Sequence, residues 1–198
     1  PVFCDIVGDG DLTIDPEDLV ARITPRTKAI VVMHYGGYPC DMPAIARIAK
    51  ERGLLLIGDA AHAPGARLAG RHCGNWGDIG CFSFFANKNM TTGEGGMVTT
   101  NSDKLAEKLK LMRSHGMTTL TLDRHRGRAF SYDVVELGYN YRLDEMRAAL
   151  GLVQLDQLAD WNNSRRKLVL LYRSLLEAVR GVTVPFANFN VDQAACHI

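Results

Sequence analysis

The 198-residue sequence predicts an α/β domain built on a mostly parallel sheet flanked by helices. Two observations carry this expectation. Two short apolar runs, Lys28 to Met33 and Leu54 to Ile57, are separated by one capped amphipathic stretch, which is the pattern of a right-handed βαβ crossover. A composition of 46% hydrophobic and 23% charged residues supplies the core that such a domain needs.

The elements follow in order. Asp15-Pro16-Glu17-Asp18 sets an N-cap before a proline and two acids, so a short helix is expected to run to about Arg22. Lys28 to Met33 is apolar on both faces, as a strand covered on both sides would be. Asp41 caps a second helix with Pro43, Ile45, Ile48 and Ala49 on its apolar face, and Gly53 ends it. The Leu54 to Ile57 strand then lies parallel to the first, and both carboxyl ends open on one edge. His34-Tyr35-Gly36 and Asp59-Ala60-Ala61-His62 follow those ends, where open α/β sheets place their ligands.

Residues 64 to 78 read as a loop, and Cys81 to Phe84 and Met97 to Thr100 as strands around the turn Thr92-Gly93-Glu94-Gly95-Gly96. A helix is expected from about Ser102 to Ser114, then a long loop over 116–135. Leu143, Met146, Leu150, Val153 and Leu158 mark one further helix, and Leu168, Leu171, Tyr172, Leu175, Leu176 and Val179 a second. Phe189 to Ile198 reads as extended, as do the first residues, which lack an initiator Met. The chain is therefore expected to be incomplete at both ends.

Charge and composition narrow the function. A net charge of +1 gives no field for a nucleic acid partner. The longest apolar runs, Ala29 to Met33 and Leu168 to Tyr172, are far short of the roughly 20 residues of a membrane span. Pro1 to Val7 has no basic region of the kind a signal peptide carries, and five cysteines without a paired spacing read as reduced thiols, so a cytoplasmic location is expected. Gly8-x-Gly10 is followed by Thr13, and no phosphate-binding P-loop occurs, which argues against nicotinamide and ATP. His34, His72, His115, His125 and His197 lack metal-ligand spacing and are expected on the surface or in loops. Arg165, Arg166, Lys167, Arg173 and Arg180 are expected to form a solvated basic face.

The densest chemistry lies between Gly80 and Gly96. Lys88 sits in a Phe-lined segment, a setting that suits Schiff-base chemistry, although a lone loop lysine is more often simply solvated. Asp59 gives that lysine a context. Pyridoxal 5′-phosphate needs a carboxylate beside its ring nitrogen, a lysine to hold its C4′ carbon, and hydroxyls or amides around its phosphate, for which Ser83 is placed.

Five blocks in order carry a resemblance: Gly58-Asp59-Ala60-Ala61-His62-Ala63, Gly77-Asp78-Ile79-Gly80-Cys81-Phe82-Ser83-Phe84, Lys88-Asn89 with Gly93-Glu94-Gly95-Gly96, Arg113-Ser114-His115-Gly116, and Gly138-Tyr139-Asn140-Tyr141-Arg142-Leu143-Asp144. Together they resemble the signature of the DegT/DnrJ/EryC1/StrS sugar aminotransferases. The resemblance implies a fold-type-I pyridoxal-phosphate enzyme, with residues 1–160 belonging to the cofactor-binding large domain and 161–198 to an inter-domain helix and the start of a small domain. It implies that Lys88 forms the Schiff base, Asp59 pairs with the pyridine nitrogen, His62 lies beside the ring and Ser83 contacts the phosphate. Asn140 would reach the phosphate in the partner subunit, making the active site a property of a homodimer. His115 is kept as a substrate-side contact.

The implied reaction transfers an amino group, from glutamate, to a nucleotide-linked keto-sugar. Rival readings are amination of a cyclitol ketone, sugar dehydration, or a regulatory protein that binds the cofactor without turnover. Some relatives that dehydrate sugars carry histidine in place of the lysine, and Lys88 argues against that chemistry.

Overall fold

The structure is a computed structural model that describes residues 1–118, 126–127 and 131–198. Its centre is a four-stranded sheet of β3 (Ala29–Met33), β4 (Leu55–Asp59), β7 (Ile79–Ser83) and β8 (Gly96–Thr99), in that spatial order. The first three strands are parallel, with Met33 opposite Asp59 and Asp59 opposite Cys81; β8 closes the edge antiparallel to β7. Two small hairpins accompany the sheet: β1 (Ile6–Gly8) with β2 (Asp11–Ile14), and β5 (Arg67–Leu68) with β6 (Arg71–His72). The second hairpin lies within the stretch that the sequence marked as loop.

Local chemistry explains the helices. Asp15 accepts from the Glu17 amide at 2.8 Å to start α1 (Pro16–Arg22), and Asp41 accepts from the Ala44 amide at 3.1 Å to start α2 (Met42–Arg52). Gly53 ends α2 at φ +63°, a conformation glycine adopts without a Cβ penalty. Ser102 caps α3 (Asp103–Arg113). The core packs Leu19 of α1 and Met42, Ile45, Ile48 and Ala49 of α2 against Ile30, Val32 and Leu56 of the sheet.

The structure differs from the sequence reading in several further places. First, β3 alternates between buried and exposed positions, because the described residues cover only one of its two faces. Val31 is 62% and Leu55 55% exposed, on the face away from α2. A groove of about 890 Å³ runs along this side from Val2 and Phe3 to Met33 and Tyr35 at the carboxyl edge.

Second, the two expected C-terminal helices are one, α4 (Glu145–Leu176), 32 residues long. The polar stretch between its apolar halves contains no glycine or proline to break it. Its interruption of the apolar pattern has another cause: Asn162 faces inward, 2% exposed, and is hydrogen-bonded to Asn89 and to the Pro64 carbonyl. No described helix is both long and apolar enough to cross a membrane. We expect Asn162→Ala to lose both bonds and destabilise the full chain by about 2 kcal/mol, read as a lower urea midpoint. A midpoint matching the parent would show that the network adds nothing to stability.

Third, Phe189 to Ile198 is not simply extended. It forms a 3₁₀ turn at Val191–Gln193 and then enters the core, where Ala194, Ala195 and Cys196 are buried. Arg166 and Arg173, expected on a solvated face, donate instead to the Ala194 and Phe189 carbonyls, each at 3.0 Å. Of the loop over 116–135, residues 119–125 and 128–130, His125 among them, lie outside the described residues. The parts that flank them pair, the Thr118 amide donating to the Asp133 carbonyl at 3.0 Å.

His34 also departs from its expected loop setting. It is fully buried, its Nδ1 accepts from the Cys40 amide at 3.2 Å, and burial pushes its pKa down to about 4. An unfolded histidine titrates near 6.5. As pH falls from about 6.5 to about 4, the unfolded chain binds a proton that the folded state refuses. Stability should fall across that window and be unaffected by this group above it. Urea titrations at several pH values check this, and His34→Gln should flatten the slope; an unchanged slope would remove His34 as its source.

Candidate active site

The parallel register brings the chemistry-bearing side chains to one edge. Asp59 ends β4 and Ser83 ends β7, so both stand at the carboxyl edge of the sheet. Asp59 is fixed there from both sides. Its carbonyl accepts from the His34 amide at 3.0 Å, and its Oδ1 accepts from the Ala61 amide at 3.0 Å. Among the described residues Oδ2 accepts nothing, so one carboxylate oxygen remains available.

The turn after β4 presents His62. Its ring lies tilted 6.2 Å from Tyr35 and 4.4 Å from His197, and its Nδ1 is buried without a hydrogen-bond partner among the described residues. Burial lowers the His62 pKa, Lys88 lowers it further, and Asp59 opposes them. His62 thus senses both the lysine and the carboxylate.

The turn after β7 presents Lys88, half-buried, with its backbone amide donating to the Phe85 carbonyl at 3.0 Å. The Ser83 Oγ accepts from the Phe85 amide at 3.2 Å, which leaves its own O–H free to donate elsewhere. Behind Lys88 the chain dives inward, with Asn89, Met90 and Thr92 buried. The structure therefore places Asp59, Ser83 and the turns that carry His62 and Lys88 at one edge of the sheet, with His62 within electrostatic reach of Asp59 and Lys88.

Asn140 and His115 lie together on a separate strap. Ser114 and Asn140 form a β-bridge, and the His115 amide donates to the Tyr139 carbonyl at 2.9 Å. Both side chains are exposed, and His115 holds φ +62°. Arg142 donates to Ser114 Oγ at 3.1 Å and Tyr139 stacks on Tyr141 at 5.1 Å, which gives the strap its own internal order. Within one chain no described contact joins the Asn140 and His115 side chains to Lys88.

A residue that sequence reasoning had placed on the surface enters the site. His197 is half-buried against His62, and its Nδ1 lies 2.9 Å from Asn89 Oδ1. The tail that carries it is tied to the turn after β3, with the Ala195 amide donating to the Gly37 carbonyl at 2.9 Å and the His197 amide to the Gly36 carbonyl at 2.8 Å. Gly37 makes this approach possible. Its φ is +86°, and a Cβ there would sit 2.6 Å from the His62 carbonyl oxygen.

Comparison with known proteins decides the family. The model of the DegT/DnrJ/EryC1/StrS aminotransferase family matches residues 1–198. The chain belongs to this family. Its relatives include the Bacillus subtilis (strain 168) spore coat polysaccharide biosynthesis protein SpsC, 41% identical over 95% of this chain and 48% of that protein. Among solved structures, Helicobacter pylori PseC, an aminotransferase involved in the biosynthesis of pseudoaminic acid, superposes with a TM-score of 0.86. It is 33% identical and the match covers 100% of this chain and 50% of that one. DesI, solved in the presence of its TDP-sugar product, gives a TM-score of 0.80 at 34% identity, covering 98% of this chain and 47% of that one. The chain thus spans about half the length of the family members it matches, and it shares their fold, that of the fold-type-I pyridoxal-phosphate aminotransferases.

Proposed function

We propose that the full chain is a pyridoxal-phosphate-dependent aminotransferase that moves an amino group from glutamate to a keto-sugar carried on a nucleotide, as a cytoplasmic homodimer. The observation that carries this reading is geometric: Asp59 and Ser83 end adjacent parallel strands, and the turns that follow them present His62 and Lys88 at the same carboxyl edge. Membership of the family and the names of SpsC, PseC and DesI support the sugar as acceptor.

The residues fit the cofactor. The edge offers a carboxylate with a free oxygen, a half-buried lysine, a hydroxyl with a free proton, and a flat ring with an orphaned buried nitrogen. When bound, pyridoxal 5′-phosphate supplies an electron sink that makes a Cα–H bond acidic. Asp59 Oδ2 would pair with the ring nitrogen and keep it protonated. Lys88 Nζ would hold the cofactor by its C4′ carbon and, once released, would serve as general base and acid for the proton that is moved. Ser83 Oγ would donate to the phosphate, and His62 would lie beside the ring. Asn140 would offer its amide to the phosphate in the partner subunit, and His115 would contact the substrate.

Adding glutamate to the full chain loaded with cofactor should abolish the bound cofactor's visible band, and a nucleotide-linked keto-sugar should restore it. A band that survives glutamate and every such sugar would contradict the reading.

The shared site has its own test. Losing a hydrogen bond to a charged group costs about 1.5–3 kcal/mol, so Asn140→Ala should weaken cofactor binding about tenfold or more. Mixed with Lys88→Ala, it should form heterodimers with one site carrying both defects and one carrying neither. With cofactor held between the Kd of the parent and that of Asn140→Ala, where each variant alone has little activity, about a quarter of parental activity should return on mixing. If mass measurement confirms exchange and no activity returns, Asn140 does not act across the dimer.

A further inference from the structure

The strongest unassigned feature is the polar chain that runs from α4 to the back of Lys88. Asn162 Nδ2 donates to the Pro64 carbonyl at 2.9 Å, and Asn162 Oδ1 accepts from Asn89 Nδ2 at 2.8 Å. Asn89 Nδ2 also donates to the Ala195 carbonyl at 2.7 Å, and Asn89 Oδ1 meets His197 Nδ1 at 2.9 Å. Both asparagines are 2% exposed, so neither has water as an easy alternative.

The orientation of this chain follows from its ends. A backbone carbonyl only accepts, so the atoms facing Pro64 O and Ala195 O must be amide nitrogens. That fixes both side-chain amides. Asn89 then has only its oxygen left for His197, so the proton on the imidazole must sit on Nδ1. A neutral His197 therefore carries its lone pair on Nε2.

His197 stays neutral near pH 7. Burial, followed by the repulsion of His62, Lys88 and Arg165, holds its pKa at about 4. Its ring lies 4.4 Å from His62 at 38°.

We infer that His197 is a positioning residue for the Lys88 edge, locked by the Asn162–Asn89 chain in the Nδ1–H tautomer so that it packs His62 in place and presents a neutral acceptor instead of a second cation beside the lysine. This inference rests on the reading of that edge as the cofactor site. It explains why the residue after Lys88 is a buried asparagine, and why a side chain from the middle of a 32-residue helix faces inward.

The test uses the full chain with ¹⁵N-labelled histidine and no added cofactor. Long-range ¹H–¹⁵N spectra near pH 7, assigned with His197→Gln, should show His197 as the Nδ1–H tautomer. The Nε2–H tautomer or an imidazolium would overturn the inference. In folded His197→Gln, His62 loses its covering ring, so its resonances should move and its titration midpoint should rise. An unmoved His62 would also overturn it. Asn89→Asp sets a carboxylate against Nδ1 and should raise the His197 midpoint by about one unit or more. With cofactor loaded, His197→Gln should lower kcat about tenfold while the Kd for cofactor changes less than about twofold. The spectra read the tautomer whether or not glutamate discharges the cofactor, so failure of the transaminase reading is seen separately.

Discussion

Lys88→Ala in the full chain should lower kcat by about three decades or more, the scale of a lost acid–base group to which the lost covalent attachment adds. The fold should survive the change. What shapes the turn is the backbone bond from the Lys88 amide to the Phe85 carbonyl, together with the buried Asn89 that follows, and neither uses the lysine side chain. The measurement is steady-state turnover beside a urea midpoint. Turnover within tenfold of the parent at unchanged stability would leave Lys88 as an ordinary loop lysine.

Asp59→Asn should lower turnover by at least about two decades, roughly 2.7 kcal/mol of barrier, since a neutral amide no longer holds the ring nitrogen protonated. The substitution is chosen to preserve geometry. An asparagine oxygen can still accept from the Ala61 amide, as Oδ1 does now at 3.0 Å. The cost is then read as lost charge. A variant that transaminates within threefold of the parent would remove Asp59 as the partner of the ring nitrogen.

What could be read from the sequence was local chemistry. Asp41 and Gly53 mark the two ends of α2 with side chains and backbone freedom that act within a few residues, and the βαβ unit they punctuate follows. Asp59 and Lys88 could be singled out because strand ends locate ligands and because their chemistry is complementary. Nonlocal packing was less legible. Asn162 interrupts an apolar pattern for the sake of a partner 73 residues earlier, so its stretch of α4 resembled a break between helices. His197 reaches Asn89 from 108 residues away, a contact that no spacing rule contains. Asn140 and His115 stand on the strap, and the motif alone, with no contact among the described residues, ties them to the Lys88 edge.

The account turns on Lys88 as the residue that holds the cofactor, and one chemical measurement addresses it directly. Borohydride reduces a C=N bond to a secondary amine, fixing the cofactor to whichever lysine formed the imine. The full chain is loaded with pyridoxal 5′-phosphate, reduced, digested and mapped by mass spectrometry. The account predicts the modified lysine in the peptide that contains Lys88-Asn89-Met90, with other lysines unlabelled. Modification of Lys28 or Lys104, with Lys88 unlabelled, would contradict it.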